Sequence, residues 1–259
     1  MIKILFIGDV VGLIGCRTVK VMIPKLKEKY DGLDLIIANA ENSARGNGVS
    51  KESAEFLFGC GCNVLTGGNH SFRNFSIYKE FKENNLILRP LNFSKNCPGR
   101  GFVVFETKKG FVAIINLIGQ AYLEAATSAF DEIKNLLFKI KTKNIFIDFH
   151  AEATGEKAAL ANFLDGKVSA VVGTHTHVQT SDARILNKGT GFLTDVGMVG
   201  PYDSVLGVFP NLVIRRITTK MPVRFMVPEE GKCVFNAVYF EVNEITGLCE
   251  KIETINEIV

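Results

Sequence analysis

The chain has only four histidines in 259 residues, so a histidine cluster in it is not a by-product of abundance. It contains no apolar run of the ~18–20 residues that a membrane span needs, which argues against a membrane protein. The opening "MIKILFIGDVVGLIG" resembles a signal segment, but Asp9 interrupts it and no small-residue cleavage site follows. It reads instead as a first buried strand, and the expected location is the cytoplasm. Neither sign of charge dominates: the formal net charge is +3, too small to argue for stable DNA binding. The basic run "KIKTK" (139–143) reads as a solvated helix end. The six cysteines match no zinc-knuckle or C-x-x-C spacing and read as reduced structural residues. No internal repeat, low-complexity tract or linker divides the chain, so the expectation is one domain over residues 1–259.

Hydrophobic residues make up 47% of the sequence, enough for a large core and against disorder. Through the first half, apolar runs alternate with helical periodicity. "IKILFIG" (2–8), "LDLIIANA" (33–40) and "NVLTGG" (63–68) read as strands. "CRTVKVMIPKLKEKY", "SKESAEFLFGC" with Ser50 as N-cap, and "NFSIYKEFKENN" read as helices. Continuous apolar strands between helices predict parallel strands buried on both faces. Beyond residue 100, "GFVVFETKKGFVAIINLIG" reads as a hairpin around Lys-Lys-Gly, followed by helix 128–141 and strand "NIFIDFH" (144–150). The helix "EKAALANFLD", the strand "VSAVVG" (168–173) and hairpins in "ARILNKGTGFLTDVG" and in the tail from Cys233 complete the pattern, while "GMVGPYDS" (197–204) reads as a loop. The predicted architecture is α/β: a two-sheet β-sandwich core, mixed parallel and antiparallel, flanked by helices.

Polar, ligand-capable residues follow five of these strands: Asp9, the pair Glu41–Asn42, the pair Asn69–His70, His150, and the pair His175 and His177. Each alone has an ordinary explanation as a turn residue, a cap or a core histidine. Together they include every histidine of the chain, and the carboxyl ends of parallel strands are where α/β sheets bind ligands. Carboxylate, imidazole and amide donors without thiolate suit manganese, iron or zinc. Their number exceeds the needs of one catalytic metal, which keeps about three protein ligands, and suits a bridged pair.

The segments "GDVVG" (8–12), "NAENSARGNGVS" (39–50), "TGGNHSF" (66–72), "FHAEATGEK" (149–157), "GTHTHVQT" (173–180) and "TDVGMVGPYDSVLG" (194–207) resemble the calcineurin-like metallophosphoesterase superfamily. More narrowly, they are similar to its bacterial 2′,3′-cyclic-nucleotide 2′-phosphodiesterase family. The chain departs from the general superfamily pattern twice. Asp9-Val10-Val11 lacks the histidine of D-x-H, and Ala40-Glu41-Asn42 replaces the second-strand G-D motif. The narrower family is expected to show both changes, with Asn42 in the place of the lost histidine.

The resemblance implies a metallophosphoesterase-like fold and two divalent or trivalent metal ions, iron with manganese as a second occupant. It implies that Asp9, Glu41, Asn42 and His177 hold one ion. Glu41, Asn69, His150 and His175 hold the other, with Glu41 bridging. The expected reaction opens a 2′,3′-cyclic nucleotide to a 3′-nucleotide through a metal-bridging hydroxide. His70, beside Asn69 and not needed as a ligand, is the candidate general acid. Arg45 is a candidate substrate contact. The expected partner is a small cyclic nucleotide or another phosphodiester, and a homo-oligomer is compatible with the sequence. Rival readings are a metallophosphoesterase for a 3′,5′-cyclic nucleotide or a phosphoprotein, and a regulatory metal-binding protein. A metal-dependent amidohydrolase fits less well, because its H-x-H pair stands near the first strand and this one stands two-thirds along.

Overall fold

The computed structural model describes residues 1–45, 47–123, 125 and 127–259. The first part of the chain runs β1 (Ile2–Ile7), β2 (Asp9–Val10), α1 (Gly12–Lys29), β3 (Leu35–Asn39), α2 (Lys51–Gly59), β4 (Val64–Thr66) and α3 (Ile77–Glu83). The middle adds β5 (Phe102–Thr107), β6 (Gly110–Ile118), α4 (Ala129–Leu137), β7 (Ile145–His150), α5 (Thr154–Leu164), β8 (Ala170–Thr174), β9 (Arg184–Ile185) and β10 (Gly191–Leu193). The last part is β11 (Met198–Pro201), α6 (Pro210–Thr219), β12 (Cys233–Val242) and β13 (Cys249–Ile258).

Two sheets result. One follows the order β2-β11-β12-β1-β3-β4, with β13 also paired to β12; the second follows β5-β6-β7-β8-β10-β9. Strands β1, β3 and β4 are parallel, as are β6, β7, β8 and β10. Hairpin pairs β5–β6, β9–β10 and β12–β13 supply antiparallel pairing.

The apolar runs are continuous because both faces of the central strands are covered. Along β1, Ile2, Ile4 and Phe6 point into the layer between the sheets, where they meet Ile114, Phe146, Val172 and Phe240. Leu5 and Ile7, the alternate residues, point the other way, onto Val19, Met22 and Ile23 of α1 and Leu57 of α2. The second sheet repeats this: Ile115 and Ile147 face Ile133 of α4 and Leu160 of α5. The layers are therefore helix, sheet, sheet, helix. Phe146 stacks on Phe6 at 5.7 Å and meets Phe240 edge-on at 5.1 Å, so aromatic contacts join the sheets at their centre.

Ser50 caps α2 as expected, in a capping box: its hydroxyl accepts from the Ser53 amide, and Ser53 Oγ accepts from the Ser50 amide. All six cysteines are free thiols, four of them buried. No helix of the described residues is long and apolar enough to cross a membrane.

The structure corrects two expectations. Residues 198–201, read as loop because of their Gly and Pro, form β11, held between β2 and β12 by both neighbours. Residues 210–219, for which no element was expected, form α6, with Pro210 at its first turn and no buried residue.

Candidate metal centre

All five polar strand ends meet at one rim, and the two sheets share it. Asp9, Glu41–Asn42 and Asn69–His70 follow β1, β3 and β4 of the first sheet, while His150 ends β7 and His175 and His177 follow β8 of the second.

The side chains sort into two groups that meet at Glu41. In one, His150 Nε2 lies 3.2 Å from Glu41 Oε1, 3.0 Å from Asn69 Oδ1 and 3.0 Å from His175 Nδ1. In the other, His177 Nε2 lies 3.3 Å from Asn42 Nδ2 and 3.8 Å from Asp9 Oδ1, while Asn42 Nδ2 donates to Glu41 Oε1 at 3.1 Å. Asp9, Glu41 and His150 are buried essentially completely.

Gly68 permits this close approach. A Cβ there would stand 2.3 Å from Glu41 Oε2 and from the His150 ring, so only glycine lets the β4 turn sit against both. A later turn residue, His70, donates its backbone N–H to Glu41 Oε2 at 2.9 Å.

The segment after β8 does not stay extended, as a simple i, i+2 reading of its histidines assumes. His175 and His177 have φ of 104° and 65°, in a region costly for side chains with a Cβ. These turns send the two rings to different neighbours. The buried pair Lys157–Asp195, 2.6 Å apart, holds the segment: Asp195 Oδ2 also accepts from the Thr176 amide at 3.1 Å, and Oδ1 accepts from the Gly197 amide at 2.8 Å.

Each of these three histidines has its outward nitrogen fixed. His150 Nδ1 meets Thr174 Oγ1 at 2.9 Å, and that hydroxyl donates to Asp148 Oδ1 at 2.7 Å. His175 Nε2 meets Glu152 Oε2 at 3.0 Å, and His177 Nδ1 meets the Leu206 carbonyl at 3.0 Å. The other ring nitrogens, Nε2 of His150 and His177 and Nδ1 of His175, therefore face the centre. Backing of this kind is what orients metal-bound imidazoles. Sequence reading missed Asp148, Glu152, Lys157, Thr174 and Asp195. Glu152, Lys157, Thr174 and Asp195 fall inside the quoted segments, but no role was read for them there.

The electrostatics agree with a site made for positive charge. Burial works to raise the Glu41 carboxyl, but the neighbouring His150 and His70 hold it well below the usual range. Burial would lower His150, yet Glu41, Asp9 and Asp148 push it up to about 9. Burial together with His150 takes His175 down to about 4. Burial raises Asp9, against the pull of His177 and His150. The bare protein thus sets a protonated His150 against Glu41 where a cation would stand.

The donor set fits metal ions. Asp9 Oδ1 is buried with no hydrogen-bond partner among the described residues, an arrangement costly unless a cation compensates it. His150 Nε2 faces three acceptors, and one hydrogen cannot serve a carboxylate, an amide oxygen and a second ring nitrogen. Glu41, His150 and His175 bring ligand atoms within 4.8 Å of one another.

His70 stands beside the donors with its side chain 25% exposed, Nδ1 3.2 Å from Asn42 Oδ1 and 3.4 Å from Glu41 Oε1. With His175, His177, Leu206 and Phe225 it lines an open hollow of about 320 Å³. Arg45 does not line that hollow; its Nε lies 3.7 Å from Glu229.

The YmdB-like protein family matches residues 5–255. The chain belongs to that family. It is accordingly a protein of the calcineurin-like metallophosphoesterase type. A 2′,3′-cyclic-nucleotide 2′-phosphodiesterase of Bacillus subtilis (strain 168) is 44% identical over 255 residues, covering 98% of this chain and 96% of its own. Among solved structures, a hypothetical protein of Thermus thermophilus superposes with a TM-score of 0.93 at 36% identity, over 99% of both chains. A novel phosphatase of Mycoplasma pneumoniae superposes with a TM-score of 0.92 at 37% identity, over 99% of this chain and 93% of that one. Family membership bears out the expected superfamily and its fold.

Proposed function

We propose that the protein is a metal-dependent phosphodiesterase that hydrolyses 2′,3′-cyclic nucleotides to 3′-nucleotides. The observation that carries this reading is the double donor group, Asp9–Asn42–His177 and Asn69–His150–His175, joined through Glu41 at the floor of an open hollow. The resemblance to the Bacillus subtilis phosphodiesterase supports the substrate. When bound, a pair of iron or manganese ions supplies Lewis-acid neutralisation of the phosphoryl oxygens and a water of lowered pKa.

The chain's own residues do the rest. In the contact as it stands Asn42 Oδ1 accepts from His70 Nδ1–H; to act as the acid, His70 must carry a proton on Nε2, toward the hollow. We assign that proton to the 2′ oxygen as its bond to phosphorus breaks. An Asn42 amide that turns its oxygen to a metal would donate Nδ2–H to His70 Nδ1. That reversed hydrogen bond would fix the His70 tautomer protonated at Nε2, as an acid requires. Thr174, Glu152 and the Leu206 carbonyl hold the three ligand rings in place.

The test is a substrate panel with the iron- and manganese-loaded protein, with the product identified by the position of its phosphate. The expected result is a 3′-nucleotide from a 2′,3′-cyclic substrate, formed faster than product from an aryl phosphodiester or a 3′,5′-cyclic nucleotide. Equal rates across the panel would overturn the assignment.

A further inference from the structure

The hollow at the metal centre is not closed. Phe225 and Val227 form part of its wall and also line a second hollow of about 310 Å³, which contains Arg45 and Arg224. Leu13 and Arg45 are shared in turn with a third hollow of about 520 Å³, which contains Arg17 and Phe56. The shared residues set the three hollows side by side, and together we read them as one groove leading away from the metal donors. Three guanidinium groups and two aromatic rings stand along it, with Phe225 46% and Phe56 38% exposed.

Two carboxylates also line the groove beyond the metal centre, and both are engaged. Glu229 lies 3.7 Å from Arg45, in a pair whose side chains are 59% and 75% exposed; so open an ion pair is readily exchanged for another anion. Glu52 sits in the first turn of α2, where its own backbone N–H and the Ser50 side chain stabilise its charge. The first turn of α1, which lines the second hollow through Gly12 and Leu13, carries no acidic residue.

Cations and exposed aromatic faces along one groove are the features that hold single-stranded nucleic acid, the cations on phosphates and the rings on bases. The proposed substrate dictates the polarity. A 2′,3′-cyclic phosphate occupies both hydroxyls of its ribose, so a longer chain can leave that nucleotide only through its 5′ oxygen. We propose that this groove is a subsite for the 5′-ward phosphodiester backbone of single-stranded RNA whose terminal 2′,3′-cyclic phosphate lies at the metal centre. Arg45 and Arg224 take the first phosphate outward, and Arg17 takes the next. Arg45 thus contacts substrate one nucleotide away from the reacting phosphorus. The chemistry is unchanged: a water oxygen bonds to phosphorus, the bond from phosphorus to the 2′ oxygen breaks, and that oxygen takes a proton. The subsite rests on the proposed 2′,3′-cyclic specificity and extends it from mononucleotides to RNA ends.

Two measurements test it. In the first, kcat/KM is compared for adenosine 2′,3′-cyclic phosphate and a tetraadenylate ending in a 2′,3′-cyclic phosphate. The metal-loaded protein and its Arg17→Ala/Arg224→Ala variant are both assayed. The expected result is a preference for the oligonucleotide of at least about tenfold that disappears in the variant. Equal values for the two substrates, or a preference that survives in the variant, would overturn the subsite while leaving the cyclic-phosphate reading intact. In the second, anisotropy of a fluorescein-labelled tetraadenylate 3′-phosphate reports binding without turnover. Loss of two phosphate contacts should flatten the slope of log Kd against log salt by about 1.4. An unchanged slope and Kd would reject the groove even if neither cyclic substrate were turned over, a result that would by itself remove the proposed function.

Discussion

At the residue scale, the proposed ligand Asn69 and the proposed acid His70 stand a single backbone step apart. Asn69 points its oxygen at His150, while the next residue, His70, leans on Asn42. Substitutions should therefore split cleanly. His70→Ala is expected to retain metal and to lose about 100-fold in turnover, the scale of one acid–base group. His175→Ala is expected to lower metal content itself. Elemental analysis beside steady-state kinetics checks both, and metal lost from the His70 variant would make that residue a ligand. These candidates were legible in sequence because each closely follows or ends an apolar strand, so strand ends and ligand-capable chemistry coincide. The groups that back the rings were not. Asp148 looks like strand interior and Thr174 like an ordinary strand-end residue, and the contact between Thr174 and His150 joins residues 24 apart.

At the element scale, the turn after β8 needs its left-handed backbone to deliver one ring to each donor group, and Lys157 on α5 is what secures it. Lys157 and Asp195 are both buried, with one side chain 1% and the other 0% exposed. Lys157→Met leaves a buried, unpaired carboxylate and is expected to cost about 3–5 kcal/mol, read from urea unfolding. Adding Asp195→Asn should recover part of that loss. A cost below about 1 kcal/mol, in the range of a surface pair, would show that Asp195 finds another partner. A lysine among helical residues 156–165 reads as solvated surface, and no sequence spacing announces a partner 38 residues on. The same limit explains β11 and α6. Met198–Pro201 becomes a strand only because β2 and β12 offer edges on both sides. In α6 the apolar residues Ile214 and Ile217 stay 58% and 60% exposed, so core-directed periodicity gives no signal for it. Hairpins and parallel strands were legible because their patterns are local: a Lys-Lys-Gly turn, a Ser N-cap, unbroken apolar runs.

At the scale of the whole molecule, the metal centre is also a junction between sheets. A ligand that binds only the folded state stabilises it by about 2.7 kcal/mol at a hundred times its Kd. For a chain of this size that corresponds to roughly 5–10 °C in melting temperature for each site. Iron or manganese added to the stripped protein should raise the melting temperature by that amount, and a chelator should reverse it. The His175→Ala variant should lose much of the shift. A melting temperature indifferent to metal would mean that the donors do not bind across the sheets.

The order of the strands carries a consequence for synthesis. Strand β1 precedes every other described element along the chain, yet its place is between β3 and β12, and β12 comes only at residues 233–242. A chain emerging from the ribosome therefore presents β1 with one edge unsatisfied until residues 233–242 are out. Such an edge is open to wrong pairing and invites chaperone attention. Asp9, just past the end of that strand, is the first donor translated and among the last to be locked in place. The sheet that carries the first three donor segments is therefore closed only once β12 has been made.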